Sequence, residues 1–554
     1  MKRLLLALTA LVLPVAATAQ GVVTSADPRA TLAGQEILRQ GGSAADAAMA
    51  MMLALTVVEP QSSGIGGGGF LVHHDGTTGL IDTIDGRETA PAAATPARFV
   101  GADGKTLSYY NAFPGGKSVG VPGNMRLMAM TYARWSKLPW KALFQPAIKL
   151  AENGYQVTRP MNAGMTLTAP LWKNFPDIAK LYSDDGKPLA IGTTVKNPKL
   201  ARMLRRLADE GAEAFYTGDN AREIIAAATG SKVAPSDLTL ADLAAYQAKE
   251  RPAVCGRYRV YRICGMGPPS SGATTVLQIL GMLERFDMKK LGKDSPVAWH
   301  LIGEAMQLAY ADRDRYLGDR DFVSVPVSGL IDPAYVRSRS RLISAGRTLT
   351  KYEPGTPQGA EPRTNAVQAE VPGTTHFIAI DKGGDIVTMT STVEGPFGSQ
   401  LLANGYVLNN ELTDFTFAPE KNGMPVANRV EPGKRPLSSM APTIVYDATG
   451  KPIFTVGAAG GKTIIMQVAK ALIAHLDWNE SARDALGEGL VFFNADGLVL
   501  EQGTARESLL APLEKLGHKV VVAKLGLKAN AAELTPSGWV GAADPRSVGT
   551  ALSE

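Results

Sequence analysis

A mixed α+β protein built from two substantial units is what this sequence predicts, and three observations carry the prediction. Beyond a leader at its start, the chain keeps about 535 residues, more than one core usually organises. A proline-rich stretch at 351–373 separates a part in which helical stretches alternate with loops and short strands from a part that opens on paired strands. The composition, 45% hydrophobic and 20% charged, is that of an ordinary globular protein. Nothing in this division prevents the two units from sharing sheets.

The leader comes first. Lys2 and Arg3 precede an apolar run from Leu4 to Ala17, which closes on the small-x-small end Ala17-Thr18-Ala19. This reads as a signal peptide, residues 1–19, cut after Ala19. The run holds Pro14 and is shorter than the roughly 20 apolar residues of a membrane span, so an uncleaved anchor is the secondary reading. A periplasmic or secreted protein is expected, with no membrane span once the leader is gone. The net charge of +5 falls by two without Lys2 and Arg3 and is scattered along the chain, which excludes a nucleic-acid partner. The two cysteines, Cys255 and Cys264, flank GRYRVYRI. They are either a disulfide across a hairpin or two inert buried thiols.

Ser43 and Asp46 form a capping-box-like start for a buried helix reaching Val58. The chain breaks at Pro60 and passes through GIGGGGF (64–70) into a strand ending at His73 and His74. A helix is expected over 296–315. Pro354, Pro357, Pro362 and Pro372 punctuate the segment 351–373, which reads as a flexible linker. It ends in TTHFIAI (374–380), followed by the turn DKGGD and a strand over 386–392, the signature of a β-hairpin. A second hairpin joins 443–446 to 452–456 through Asp447-Ala448-Thr449-Gly450.

Two glycine-rich stretches imitate nucleotide sites. Gly64 to Gly69 satisfies G-x-G-x-x-G, but it follows a helix and enters a strand, the reverse of the dinucleotide fingerprint. Gly457 to Thr463 is one residue short of a phosphate loop. The six histidines form no H-E-x-x-H pattern and the cysteines lack zinc spacing, so neither metal nor cofactor is expected. His376, inside a strand, reads as structural.

The chemistry is expected at Gly373-Thr374. A threonine hydroxyl is a poor nucleophile without a base beside it, and a chain that begins with threonine supplies one in its own α-amine, whose pKa is about 7.7–8.0. The chain must therefore be cut before Thr374, and the Thr374 hydroxyl can attack the Gly373 carbonyl to make that cut. If Ile380 lies opposite Ile386, the pairs step outward to 374 with 392, which sets the Thr392 hydroxyl beside that of Thr374.

At this point the sequence resembles the γ-glutamyltransferases, over almost the whole mature chain. The resemblance runs from GGSAADAA (41–48) and PQSSGIGGGGF (60–70) to ADPRS (543–547). Its most specific pieces are TTHF at Thr374, NNELTDF (409–415), KRPLSSM (434–440) and GAAGG (457–461). It implies the four-layer αββα sandwich of the N-terminal nucleophile hydrolases, cut into an associated large fragment (20–373) and small fragment (374–554). It implies Thr374 as nucleophile, supported by Thr392. Arg87, Ser438 and Ser439 would meet the donor's α-carboxylate, a guanidinium doing so bidentately. Glu394, Glu411 and Asp414 would hold its α-amino group, and the N–H groups of Gly460 and Gly461 would form the oxyanion hole. The implied substrates are glutathione or a similar γ-glutamyl donor, with water, an amino acid or a peptide as acceptor.

The stretch between Phe415 and Lys434 is short and has no tyrosine to act as a gate, so an open donor pocket is expected. Two other functions compete. A cephalosporin acylase of the same superfamily would take a glutaryl group, and its three amine-site acids would then lack a positive partner. An exported binding protein would never be cut at all.

Overall fold

The computed structural model describes residues 20–366, 371, 373–494 and 497–554. The expected signal peptide and most of the last residues before Gly373 lie outside this set. In chain order the elements that frame the site are β1 (Val22–Ser25), α1 (Pro28–Arg39), α2 (Ala44–Val58), β2 (Gly68–His74), β3 (Ile81–Asp85), β4 (Lys249–Arg251), β5 (Val254–Tyr258), β6 (Tyr261–Gly265), α3 (Gly272–Leu283) and α4 (Pro296–Tyr316). After residue 374 come β7 (Thr375–Ile380), β8 (Ile386–Thr392), β9 (Thr443–Tyr446), β10 (Pro452–Ala459), α5 (Thr463–Leu476), β11 (Lys528–Thr535), β12 (Gly538–Ala543) and β13 (Thr550–Ser553).

These strands make two large sheets. One has seven strands in the order β13-β1-β7-β8-β2-β3-β4, and the other has six in the order β12-β11-β10-β9-β6-β5. Both draw strands from either side of residue 373, so the two units of the sequence share their sheets. Alternation along β7 explains the packing. Phe377 and Ala379 join the core under α1 and α2, whereas Ile378 and Ile380 join the core that holds Val456 of β10 and the helices α3 and α5. One face of each sheet thus meets its neighbour and the other meets helices.

Local sequence accounts for the elements nearest the site. In α2 the Ser43 and Asp46 capping box closes as expected, and every residue of the helix is buried. The glycines before β2 serve close packing: a Cβ on Gly67 would lie 1.9 Å from the Thr392 carbonyl oxygen. In the hairpin β7–β8 the register is Ile380 with Ile386, Ile378 with Thr388 and His376 with Thr390. Cys255 and Cys264 stand opposite one another in β5 and β6 and form a disulfide, which decides between the two readings of that pair.

The linker needs a correction. Residues 351–366 carry no helix or strand, as their composition predicts, yet they are tied along α4. Gly355 N–H donates to Asp312 at 2.8 Å, the Tyr316 hydroxyl donates to the Gly355 carbonyl at 2.7 Å, and Arg315 donates to Asn365 at 2.6 Å. Side chains of the helix satisfy backbone and amide groups that a proline-broken segment cannot pair in a ladder. Among the described residues no helix is long and apolar enough to cross a membrane.

Candidate active site

Strand ends bring distant positions together. Thr374 leads into β7, Thr392 ends β8 and Glu394 follows it; Arg87 lies just past β3, and Gly460 and Gly461 join β10 to α5. The short helix Glu411–Asp414 and the loop holding Ser438 and Ser439 complete the ring. Of the eleven positions singled out in the sequence, all but Gly373 and Gly460 line one small cavity, and those two border the next.

Thr374 sits at φ 78°, a left-handed conformation that costs a β-branched residue on the order of 1–3 kcal/mol. Its N–H donates to the Ser62 carbonyl at 3.1 Å. Its hydroxyl donates to Thr392 Oγ1 at 3.1 Å, the pair that the hairpin register predicts. Thr392 Oγ1 also accepts the Glu394 N–H at 2.8 Å, which fixes its orientation. Gly460 and Gly461, at φ 133° and 58°, turn the chain into α5. Among the described residues neither N–H donates a hydrogen bond. Donors at the N-terminus of a 14-residue helix are suited to a developing oxyanion.

Beyond the threonines, the Arg87 guanidinium lies among four buried carboxyls, those of Glu88, Glu394, Glu411 and Asp414. Arg87 pairs with Glu411 and with Asp414, the latter at 2.5 Å, and donates to the Pro436 and Leu437 carbonyls at 3.1 and 3.0 Å. Four of its five N–H groups are committed, so the bidentate grip expected of Arg87 gives way to a single remaining N–H. The cause is local charge balance: Arg87 is the guanidinium that neutralises the acids around it. Burial pulls its pKa down, but Glu411, Asp414 and Glu88 more than offset this and leave it raised.

The carboxyls are short of partners. Glu394 accepts through one oxygen from the Tyr109 hydroxyl at 2.6 Å and from Asn410, and its other oxygen, Oε1, has no partner. Glu88 Oε2 lies 3.9 Å from Arg87 Nη1, and the Glu88 and Glu411 carboxyls share a hydrogen bond. Burial, then the neighbouring Asp414, pushes Glu394 up to about 8. Burial, partly opposed by Arg87, pushes Glu88 to about 8 and raises Glu411. Asp414 has further contacts of its own. Ser438 Oγ accepts the Met440 N–H at 3.1 Å, and Ser439 Oγ accepts from Arg313 of α4 at 2.9 Å.

Sequence reading missed Glu88, Tyr109, Asn410 and Arg313. Glu88 directly follows Arg87 and Asn410 lies inside NNELTDF, so both could have been weighed there. Tyr109 and Arg313 sit in helices with no local signal and enter the site only through the fold. His376 is fully buried between Thr390 and Thr388, at 2.9 and 3.1 Å, and burial holds its pKa down at about 3. A neutral ring bonded within its own hairpin fits the structural reading.

The open pocket expected from the short 416–433 stretch is not seen in the continuous chain. No residue of that stretch lines the cavity, but its volume is only about 20 Å³, and Val371, just before the expected cut, forms part of its wall.

Fold and site together define a class, a two-sheet α+β body in which a threonine hydroxyl is held beside a second hydroxyl in a cavity that a helix-leading glycine also lines. The chain belongs to the gamma-glutamyltranspeptidase family, whose model matches residues 30–553, and with it to the N-terminal nucleophile hydrolase superfamily. It is 35% identical to the glutathione hydrolase proenzyme of Bacillus subtilis (strain 168) over 513 residues, 90% of this chain and 85% of that one. It is 34% identical to the acylase ACY 1 proenzyme of Pseudomonas sp. (strain SE83) over 97% of this chain and 94% of the other. The crystal structure of cephalosporin acylase from Bacillus halodurans superposes with a TM-score of 0.85 at 26% identity, covering 97% of this chain and 96% of that one.

Proposed function

We propose that this is an exported γ-glutamyltransferase and glutathione hydrolase that cuts itself between Gly373 and Thr374. Its two sheets with flanking helices are read as the four-layer αββα sandwich of its superfamily, and residues 20–373 and 374–554 as fragments that stay associated. The Thr374 hydroxyl attacks the Gly373 carbonyl, the C–N bond breaks to leave Gly373 as an ester on Oγ, and water hydrolyses that ester, which ends the strained φ at Thr374 and frees both the hydroxyl and the α-amine that then serves as base. The freed Thr374 takes the γ-glutamyl group of glutathione or a similar donor while Gly460 and Gly461 hold the oxyanion. Water, an amino acid or a peptide then removes it. Ser438, Ser439 and the remaining N–H of Arg87 meet the donor's α-carboxylate. Neither cofactor nor metal takes part.

One observation carries the choice of donor. Glu394, Glu411 and Asp414 are buried carboxyls lining one pocket, and beside them only the Arg87 guanidinium forms ion pairs with Glu411 and Asp414. An ammonium supplies the missing positive charge and a glutaryl group does not, so the burial cost of those carboxylates is recovered only with an amino-acid donor. The acylase reading draws support from the cephalosporin acylase likeness and from an identity to the Pseudomonas acylase about equal to that with the glutathione hydrolase.

The two readings separate by charge. In a matured Asp414→Ala variant, turnover of γ-glutamyl substrates should fall relative to the glutaryl analogue by roughly ten- to a hundredfold, the loss of one charge-assisted hydrogen bond. An unchanged ratio would remove Asp414 from the amine site and favour the acylase.

A further inference from the structure

One layer behind the donor pocket, α4 buries the guanidinium of Arg313. Its Nη2 donates to Ser439 Oγ at 2.9 Å and its Nε to Ser271 Oγ at 2.9 Å, while Nη1 pairs with Asp314 at 2.9 Å. Ser271 passes the contact on. Its hydroxyl donates to the Ser438 carbonyl at 2.7 Å, beside its own N–H at 2.8 Å. One side chain from before residue 373 therefore holds both serines of KRPLSSM, Ser439 directly and Ser438 through Ser271.

The direction of these bonds matters. A guanidinium only donates, so Ser439 Oγ is the acceptor towards Arg313 and its own proton must turn elsewhere. Ser438 Oγ likewise accepts, from the Met440 N–H at 3.1 Å. Both serines are buried and line the donor pocket, yet among the described residues neither hydroxyl proton has an acceptor. Ser271 shows what the arrangement displaces. It stands at the N-cap of α3, where a serine hydroxyl ordinarily accepts an N–H of its own helix, and it makes no such bond. Its hydroxyl serves Arg313 and Ser438 instead. Tyr310, one turn earlier on α4, donates to the Lys462 carbonyl, so the same helix also holds the turn that follows Gly460 and Gly461.

We infer that Arg313 is a positioning residue for the α-carboxylate of the γ-glutamyl donor. It occupies a lone pair of Ser439 and fixes the carbonyl of Ser438, so that two hydroxyl protons face the pocket as a preset pair. The inference rests on the γ-glutamyl reading above, in which those serines meet that carboxylate. It also accounts for how the carboxylate is held when Arg87 keeps a single N–H for it. A carboxylate only accepts and matches two hydroxyl protons, whereas a carboxamide turns an NH2 towards one of them. Without the guanidinium the Ser439 hydroxyl is free to rotate and the preset polarity is lost.

The test compares, on matured enzyme, a γ-glutamyl anilide with its α-carboxamide analogue, and the wild type should prefer the carboxylate form. In Arg313→Gln, whose side chain accepts as well as donates, the ratio of kcat/KM for the carboxylate form to that for the amide should fall roughly tenfold or more. The loss should lie in KM, with kcat per matured enzyme within threefold, because a contact made equally in ground and transition states acts on KM. Arg313→Lys keeps the charge beside Asp314 and guards against loss of the fold. With one nitrogen in place of the fork it should lower the same ratio severalfold, and if Arg313→Gln does not mature this variant decides alone. In a Ser439→Ala background Arg313→Gln should cost no more than about threefold, since its direct partner is gone. Ratios within twofold of the wild type, or a loss shared equally by both substrates, would overturn the inference and leave the γ-glutamyl reading standing. If the wild-type enzyme turns over neither substrate, or shows no preference for the carboxylate form, the reading of the serines fails and takes this inference with it.

Discussion

Substituting alanine for Gly373 should nearly stop self-cleavage while leaving the nucleophile in place. A Cβ on Gly373 would lie 1.6 Å from the Glu394 carbonyl oxygen and 2.7 Å from its carbon, whereas real Cβ contacts stay beyond 3.0 Å, so the gap must widen by about 1.4 Å. The wall cannot yield cheaply because it is backbone. Glu394 is held at φ 75° with its N–H on Thr392 Oγ1, and the next N–H is held by Asn410 at 2.9 Å. The displacement therefore falls on the scissile carbonyl itself. A misplacement of about 1 Å costs a reaction on the order of a hundredfold, and the cut should slow by about that factor. The assay is a time course of intact precursor on a denaturing gel after cell-free synthesis, with the new N-terminus identified by mass spectrometry. Cleavage of Gly373→Ala within threefold of the wild-type rate would refute both the close approach and the place of the cut.

Thr374→Ala should remain full length and inactive; a fragment still beginning at residue 374 would point to a separate protease. Burial, then Asp414, raises the Glu394 carboxyl from the ordinary 4.5 to about 8. Folded, this group keeps a proton that the unfolded chain loses, so its share of stability is full below about pH 4.5 and drains away as pH rises towards 8. Because an ammonium needs the carboxylate, a non-reactive γ-glutamyl analogue should bind more tightly from pH 6 to 8, by at most about tenfold per pH unit, and Glu394→Gln should flatten that rise. An equal slope in both proteins would exclude Glu394 from the amine site. Replacing Cys255 and Cys264 by serine opens a cross-link over a sequence separation of nine and should cost about 2–3 kcal/mol of stability, read by urea unfolding; no shift would mean that the bond contributes nothing.

Where the sequence could be read well, the reason was local. The hairpin register follows from a five-residue turn and a strict alternation, and the Thr374 and Thr392 pair follows from that register. The motifs around Asp414 and Ser438, together with Arg87, named most of the pocket. What sequence reading could not supply was the company those residues keep. Pairing of Arg87 with Glu411 and Asp414 joins positions more than three hundred residues apart, and it turned an expected bidentate grip into a single N–H. Arg313 reaches Ser439 from a helix whose pattern announces only burial. The linker's docking along α4 was equally hidden, since composition reports the lack of a ladder and not the side chains that replace one.

The central hairpin β7–β8 has a further consequence. In the seven-stranded sheet it is flanked by β1 on one side and β2 on the other, both from the part of the chain before residue 373, and in the second sheet β9 pairs with β6 of that same part. A cut before Thr374 therefore divides the covalent chain without dividing the object. Either piece taken alone would bare rows of unpaired N–H and C=O groups in the middle of both sheets, the surface on which strands of other molecules aggregate. Production of the two pieces as separate polypeptides should thus favour insoluble material, and an intact precursor that folds before it is cut is the route that never exposes those edges.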